Sequence, residues 1–155
     1  MGKSITRVRQ AALDAGLQIQ VITLPSSART AQQAADSCGC AVGQIAKSMI
    51  FEGTRSGALK LILVSGTHQL DLSRAEILFG EPLGRADPKR VRAETGFAIG
   101  GVAPIGHLCS MQTYMDEVLT KYETVWAAAG APETVFEIAP HALLTATQAV
   151  LFNNG

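Results

Sequence analysis

Residues 45–65 read IAKSMIFEGTRSGALKLILVS, two largely apolar runs around a short polar segment. The runs are rich in Ile, Leu and Val and have strand length, which predicts β-strands over Ile45–Glu52 and Ala58–Ser65. The polar segment contains Arg55-Ser56-Gly57, a sequence typical of a tight turn. We therefore expect the two strands to form an antiparallel hairpin.

Before this hairpin, the sequence predicts two helices and a strand. The first helix covers about Ser4–Ala15, with apolar residues along one side and Gly16 at its end. Alternation of apolar and polar residues from Leu17 predicts a strand that ends at Leu24-Pro25. Thr30-Ala31-Gln32-Gln33 has the form of a capping box, so a second helix begins at Thr30 and ends at Gly39.

After the hairpin, helix signals alternate with short strands. A capping box at Ser73–Glu76 predicts a helix that ends at Gly80, and Asp87-Pro88 predicts another that ends before Gly96. The remaining predicted elements are a helix over Asp116–Tyr122, strands over Val125–Ala128 and Val135–Ile138, and a closing helix over Pro140–Leu151. Hairpins mixed with helices indicate an α+β fold, and residues 1–155 are expected to form one domain.

Composition excludes several classes of protein. The 155 residues carry 13 Lys+Arg and 13 Asp+Glu, and 47% of them are hydrophobic. A chain with this balance is neither a disordered protein nor a strongly basic nucleic-acid binder. The N-terminus has no apolar stretch typical of a signal peptide, and no apolar run approaches the length of a membrane span. We expect a cytoplasmic protein that does not insert into a membrane.

The three cysteines are Cys38, Cys40 and Cys109. Cys38 and Cys40 are too close in sequence for an unstrained disulfide, and no second Cys or His pair completes a zinc spacing. We therefore expect free thiols, no metal and no cofactor.

Lys47 is the first candidate functional residue. On a strand it shares a face with Ile45, Met49 and Phe51, so a cation falls among core-facing side chains. A buried ammonium is costly unless an anion meets it. Two interpretations stay open: a strand-edge lysine that reaches outward to solvent, or a cation held in a pocket for a charged or polar ligand.

The loop Gly100–Gly106, GGVAPIG, is the second candidate. Its glycines allow close approach of backbone N–H groups to a ligand, as at a phosphate or an oxyanion, and Pro104 stiffens it. It has neither the P-loop ending nor a GxGxxG pattern, and His107 follows it directly. We find no nucleophile elbow and no HExxH spacing, so any hydrolysis would proceed without a triad or a metal.

Basic residues are unevenly distributed despite the zero net charge. Arg85, Lys89, Arg90 and Arg92 crowd one short segment that is predicted to be helical, and Lys3, Arg7 and Arg9 crowd another. Each cluster could be a solvated helix face. Alternatively, the two clusters could attract an RNA backbone while the rest of the surface stays neutral.

Together these features resemble the YbaK/ProX (YbaK/EbsC-type) family, relatives of the editing domain of bacterial prolyl-tRNA synthetase. The resemblance extends from about Arg29 to Leu144. It rests on the succession of Arg29-Thr30-Ala31 with Ala34-Ala35, Gln44–Phe51, Leu63–Gly66, Glu94–Phe97, Gly100–His107, Ala127–Gly130 and Phe136–Ile138.

The resemblance implies a single α+β domain with a mixed, barrel-like sheet flanked by helices. It also implies a free-standing deacylase that hydrolyses mischarged aminoacyl-tRNA in trans and needs no cofactor. The family's key lysine falls on Lys47, the expected catalytic residue, and its Gly-x-x-x-Pro loop falls on Gly100–Pro104. The expected substrate-binding residues are Ser48, Gly100, Gly101, Val102, Pro104, His107 and Gly130, and the expected tRNA-binding residues are Arg85, Lys89, Arg90 and Arg92.

The expected partners are aminoacyl-tRNA and prolyl-tRNA synthetase, with no role for DNA or a membrane. Where some relatives carry a polar or histidine-containing segment, this chain has Gly130-Ala131-Pro132-Glu133. We expect Ala or another small amino acid on tRNA(Pro), rather than Cys, to be the substrate. Two other functions stay open: a non-catalytic module that binds tRNA or a synthetase, and a small-molecule binding domain in which Lys47 meets a carboxylate.

Overall fold

The hairpin predicted from residues 45–65 is present in a computed structural model, which describes residues 2–26 and 28–154. Strand β2 (Ile45–Gly53) pairs antiparallel with β3 (Leu59–Ser65), in a register that runs from Ala46 opposite Ser65 to Glu52 opposite Leu59. At the turn, the Glu81 carboxylate accepts hydrogen bonds from the backbone N–H groups of Arg55 and Ser56.

Five helices and six further strands complete the described fold. The helices are α1 (Lys3–Asp14), α2 (Ala31–Cys38), α3 (Leu72–Phe79), α4 (Pro88–Thr95) and α5 (Pro140–Thr147). The strands are β1 (Val21–Thr23), β4 (Leu83–Arg85), β5 (Gln112–Asp116), β6 (Val125–Ala128), β7 (Thr134–Ile138) and β8 (Val150–Phe152). Two 3-10 turns, Val42–Gln44 and Glu117–Lys121, connect them.

The strands form one mixed sheet in the order β1-β7-β6-β2-β3-β5-β8, with β4 paired to β2 outside this sequence. β2 is parallel to β6, and β3 and β5 as well as β5 and β8 are parallel, whereas the other pairs are antiparallel. The predicted α+β class with a mixed sheet is thereby confirmed.

One side of β2 is only partly covered. β6 pairs with Ile45 and Ala46, and β4 pairs with Phe51–Gly53. Among the described residues, no strand pairs with residues 47–50 on this side. At the two ends of β2, Ile45 and Gly53 form backbone hydrogen bonds on the side of β3. Because successive residues of a strand turn their backbone groups to opposite sides, the N–H and C=O groups of Ser48 face the side without a strand. The sheet therefore has an opening at its centre.

Alternation along β2 also separates two hydrophobic regions. The main core packs the face of Ala46 and Ile50 against the helices α1, α4 and α5. On the opposite face, Met49 and Phe51 pack with buried residues of β3 and α3, and Ile45 packs with α2 and Trp126. Lys47 lies on this second face, between the part covered by α2 and the part covered by α3.

Several local signals are confirmed. Gln33 N–H donates to Thr30 Oγ1 at 3.1 Å, Gln33 Oε1 accepts from Thr30 N–H at 3.1 Å, and α2 ends at Gly39 with φ +71°. Asp87 caps α4, which has a proline in its first turn and ends at Gly96.

Other predictions need correction. α3 is capped by Asp71, not by a box at Ser73, because the Glu76 side chain accepts a hydrogen bond from Leu83 N–H instead. The closing helix ends at Thr147, since Gln148 adopts φ +55° and the chain then forms β8. The predicted Asp116–Tyr122 helix is a 3-10 turn, and the first strand covers only Val21–Thr23.

None of the described helices is long and apolar enough to cross a bilayer.

Candidate functional site

The gap in the sheet opens into a cavity of about 420 Å³. β2, β6, α2 and the segment before β7 build its walls, which are mostly aliphatic. Lys47, Ser48, Gly100 and Val102, which were predicted as site residues, lie in the wall together. The other lining residues are Leu24, Ala28, Arg29, Thr30, Ala31, Ala34, Ile45, Ala46, Met49, Trp126, Ala127, Ala128, Ala131, Glu133, Thr134 and Val135.

The Lys47 ammonium is held by a neutral group. Its Nζ donates to the carbonyl oxygen of His68 at 2.9 Å. Among the described residues, no carboxylate forms an ion pair with it. An ammonium has three N–H donors, so two remain for a ligand. The charge of this half-buried cation is therefore available to an anionic or partly negative group in the cavity.

The residue that receives this hydrogen bond is itself fixed by a buried carboxylate. His68 Nδ1 lies 2.8 Å from Asp116 Oδ2, and Asp116 is fully buried. The same carboxylate accepts from Ser65 N–H at 3.1 Å and from Val118 N–H at 3.2 Å. Sequence reasoning assigned Asp116 only to a helix start and missed His68, because 48 residues separate the pair.

Ser48 presents an unpartnered hydroxyl. Its Oγ is buried, and no hydrogen-bond partner lies within the described residues. A buried hydroxyl without a partner costs about 1–3 kcal/mol, so such groups are uncommon unless a ligand satisfies them. Because Ser48 lines the cavity, its hydroxyl is a candidate ligand contact.

The glycine loop contributes less than predicted. Gly100, with φ +94°, and Val102 line the cavity. Gly101 does not, because its N–H donates to Ala98 O at 2.9 Å and a Cβ there would lie 3.1 Å from backbone atoms of Ala131 and Pro132. The N–H of Gly101 is therefore not a free oxyanion donor.

Pro104 and His107 line a different cavity, of about 220 Å³, formed with α1 and α5. His107 Nε2 lies 2.7 Å from Ala103 O, and its ring meets the Phe97 ring edge to face at 5.7 Å. Burial lowers the pKa of His107 below its ordinary value of 6.5, although the hydrogen bond to Ala103 opposes this shift. The structure thus places both residues away from Lys47, because the loop turns into the main core after Val102.

Gly130 is also outside the cavity wall. It adopts φ +104°, and a Cβ at this position would lie 2.9 Å from the Phe97 ring and 3.0 Å from Ser4 O. Close packing against α1 requires glycine here, and the neighbouring Ala131 takes the place in the wall.

The predicted tRNA-binding cluster divides into two kinds of residue. Lys89 and Arg92 are exposed on α4, and Arg85 is exposed on β4 rather than on a helix. Arg90 instead pairs with the carboxylates of Glu52 and Glu94. A guanidinium held by two carboxylates is a weaker candidate for phosphate binding than its three neighbours.

The cysteines are not a reactive centre. Burial is the largest cause that raises the pKa of Cys38 to about 11, so this thiol is protonated at neutral pH and is a poor nucleophile. In the part of the chain that the structure describes, no three His, Cys, Asp or Glu side chains lie close enough to share a metal ion.

Sequence reasoning missed several wall residues. Arg29, Thr30, Trp126 and Glu133 all line the cavity. Arg29 was quoted only for the resemblance, and Thr30 was also interpreted as a helix start. Trp126 was interpreted only as part of a strand, and Glu133 was quoted only within the segment that differs from some relatives. Their place in the wall depends on contacts between elements distant in the chain, for which the local pattern carries no signal.

The chain is similar to several known proteins. The sequence model described as "Aminoacyl-tRNA editing domain" matches residues 25–146. The uncharacterised protein YwhH of Bacillus subtilis (strain 168) is 32% identical over 123 residues, which cover 79% of this chain and 78% of that protein. EbsC of Enterococcus faecalis (strain ATCC 700802 / V583), provisionally named a Cys-tRNA(Pro)/Cys-tRNA(Cys) deacylase, is 29% identical over 119 residues, covering 76% of this chain and 72% of that protein.

A solved structure is also similar over nearly the whole length. It is the crystal structure of a protein provisionally described as a trans-editing enzyme for prolyl tRNA synthetase. It superposes with a TM-score of 0.91 at 45% identity, and the match covers 99% of this chain and 97% of that one.

Proposed function

The chain belongs to the aminoacyl-tRNA editing domain family, and from this premise we propose that it hydrolyses tRNA(Pro) mischarged with Ala or another small amino acid. The resemblance to the YbaK/EbsC-type family is confirmed, and the chain is an aminoacyl-tRNA editing deacylase of that type. The amino acid, the tRNA, the catalytic residues and action as a free-standing enzyme are the proposal.

One observation carries the assignment of the site. The Lys47 ammonium, which has no carboxylate partner among the described residues, and the unpartnered Ser48 hydroxyl are consecutive residues in the wall of one mostly apolar cavity. Both groups are hydrogen-bond donors that still lack a full set of partners. An ester carbonyl that gains negative charge would give the ammonium an anionic partner, and another polar group of the same substrate would give the hydroxyl one.

In the proposed reaction, water attacks the carbonyl carbon of the aminoacyl ester. Negative charge develops on the carbonyl oxygen, and Lys47 Nζ stabilises it, while the Ser48 hydroxyl binds another polar group of the substrate. The carbon–oxygen bond to the ribose then breaks, and a proton from the water passes to the departing ribose oxygen. The products are a free amino acid and a tRNA with its terminal hydroxyl restored.

A protein base is not required for this scheme. The substrate is an activated ester, and positioning together with charge stabilisation accounts for large rate effects. We propose that the adjacent ribose hydroxyl orients the attacking water. The described residues that line the cavity include no histidine, so His68 is not assigned the role of a base.

Support for a small, uncharged side chain comes from the cavity wall, in which apolar residues, among them Ala31, Ala34, Ala127 and Ala128, outnumber the polar and charged ones. An apolar wall favours a methyl or ethyl group, although one methylene changes the free energy of activation by only about 1–3 kcal/mol. The name of EbsC favours Cys as a second candidate, because a thiol is similar in size and also weakly polar.

The proposed partners follow from the same relatives. The similar solved structure is described in relation to prolyl tRNA synthetase, and we propose that this chain acts on the products of that synthetase. Such a role places the protein in the cytoplasm, where aminoacyl-tRNA is made and used.

A deacylation panel tests the proposal. The purified protein is mixed with tRNA(Pro) charged with Ala, Cys, 2-aminobutyrate or Pro, and with Ala-tRNA(Ala), and the loss of ester is followed. We expect fastest hydrolysis of Ala- or 2-aminobutyryl-tRNA(Pro). Binding without hydrolysis would indicate a non-catalytic module, and neither binding nor hydrolysis would favour a small-molecule binding domain.

A further inference from the structure

A second cavity, of about 370 Å³, borders Lys47 on the face of β2 that carries Met49 and Phe51. Gln69, Leu70 and Leu72, from the segment that leads into α3, form its other wall. We call these six residues the α3 groove. Lys47 and Met49 line both this groove and the larger cavity, so the two spaces meet at the lysine.

We propose that the α3 groove binds the adenine base of the aminoacylated 3′-terminal nucleotide. This inference deepens the proposed function and rests on it. The amino acid and the base are attached to the same ribose. If that ribose lies at Lys47, both groups therefore lie within the length of one nucleoside from the lysine. With the aminoacyl group in the larger cavity, the groove on the other side of Lys47 is the adjoining space for the base.

The chemistry of the groove fits a nucleobase. Phe51 and Met49 offer an aromatic and a polarisable surface, and base–aromatic stacking is a main source of affinity for single-stranded nucleic acid. Gln69 is exposed, and within the described residues its side-chain amide makes no hydrogen bond. An amide carries both donors and an acceptor, which matches the edge of adenine.

Charge complements this assignment. Lys47 is the only charged residue of the α3 groove, so no carboxylate opposes a phosphate there. Arg85 is the direct cross-strand partner of Phe51, and residues directly opposite each other in a sheet project to the same face. A cation therefore lies at each end of the groove, and no carboxylate of the groove repels the phosphate that precedes the ribose.

The test uses two RNA minihelices that differ only in their terminal nucleotide, which carries adenine or lacks a base. Both are charged, through a ligated dinucleotide, with the best amino acid of the deacylation panel. For the wild-type protein we expect kcat/KM to be about tenfold lower without the base, which corresponds to one lost stacking contact. Gln69→Ala and Leu72→Gln should lower kcat/KM on the adenine minihelix and leave the baseless substrate unaffected.

Ile77→Gln is the matched control. Ile77 is an apolar residue of the same helix, 80% exposed and outside the groove, whereas Leu72 is 41% exposed and lines it. Equal rates on the two minihelices, or equal effects of Leu72→Gln and Ile77→Gln, would overturn the groove assignment while the deacylase function stands. Absence of hydrolysis of the adenine minihelix would refute the proposed function, and the inference with it.

Discussion

The carbonyl oxygen of His68 accepts a 2.9 Å hydrogen bond from the Lys47 ammonium, and the side chain of the same histidine is held by Asp116. The lysine is thus oriented through a neutral carbonyl instead of a carboxylate. A carboxylate partner would neutralise the charge before any substrate arrived. This arrangement keeps the cation both fixed in position and available.

We expect Lys47→Met to keep the fold and to lower deacylation about a hundredfold or more. Loss of a charge-assisted contact to the developing oxyanion removes about 2–4 kcal/mol of transition-state stabilisation. Single-turnover hydrolysis of the best substrate of the panel measures the effect, and circular dichroism checks the fold. Lys121→Met, at an exposed position in a 3-10 turn, is the control. Wild-type turnover by folded Lys47→Met would contradict the assignment.

Ser48→Ala should have opposite effects on stability and activity. Removal of a buried hydroxyl without a partner is expected to raise the free energy of unfolding by about 1 kcal/mol. Loss of a hydrogen bond to the substrate should lower kcat/KM about tenfold. Urea denaturation and the deacylation assay measure the two effects.

Ser65→Ala is the matched control for this change. The Ser65 hydroxyl is also buried, but it donates to Gly43 O at 2.8 Å, so its removal should lower stability. If Ser48→Ala is instead destabilising and fully active, the hydroxyl is not a ligand contact.

The pKa of His107 predicts a pH dependence of stability rather than of catalysis. Burial favours neutral His107 in the folded protein, so the unfolded chain takes up a proton first as the pH falls. The resulting stabilisation is present above pH 6.5 and decreases as the pH drops below that value toward the folded pKa. We expect His107→Gln to reduce the difference between urea midpoints at pH 7.5 and pH 5.5.

His141→Gln, at an exposed position of α5, serves as the comparison for this measurement. Deacylation at pH 7.5 should stay near the wild-type rate in folded His107→Gln, because His107 lines the cavity beside α1 and α5. Selective loss of turnover with unchanged stability would return His107 to the substrate site.

Local sequence signals predicted much of the fold. The hairpin, the Thr30 capping box and the Asp87-Pro88 helix start depend on neighbours within a few residues, and all three are confirmed. Short strands such as β4 and β8 were missed, since three residues carry little periodicity and their pairing partners lie far along the chain.

Part of the candidate site was predictable because it depends on local sequence. Lys47 stood out because one cation interrupts an apolar strand face, and strand alternation is a local property. The link from Lys47 through His68 to Asp116 was not visible, since it joins β2, the segment after β3 and the end of β5. Gly101 is the opposite case. The glycine-rich loop suggested a free backbone donor, but the Gly101 N–H already donates to the carbonyl oxygen of Ala98.

Lys89 and Arg92 are expected to bind tRNA phosphates, and Arg90 is expected to act in stability. Neutralising Lys89 and Arg92 together should weaken tRNA binding and reduce the salt dependence by about 0.7–0.9 log units per lost phosphate contact. Arg90→Gln should leave that slope unchanged and lower the stability of the fold slightly, because it breaks pairs with Glu52 and Glu94. Filter binding across a salt series measures the slope, and an equal slope change in both variants would contradict this division.

Gly101→Ala should alter substrate selection through the wall of the cavity. The added Cβ would lie 3.1 Å from backbone atoms of Ala131 and Pro132, so that segment must move by a few tenths of an ångström. Ala131 lines the cavity, and its displacement should narrow or reshape the space for the side chain. Turnover should then fall more for 2-aminobutyryl- and Cys-tRNA(Pro) than for Ala-tRNA(Pro), within the range of about 1–3 kcal/mol for a methylene-sized misfit. A cost of about 1–3 kcal/mol in stability is expected as well, as for other overpacked sites.

Gly84→Ala is the control, since a Cβ there lies at an ordinary 3.4 Å from the Thr54 side chain. A uniform loss across the three substrates would instead indicate that the loop aligns the ester itself. Equal rates for wild type and variant on all three would show that Gly101 serves only the packing of two loops.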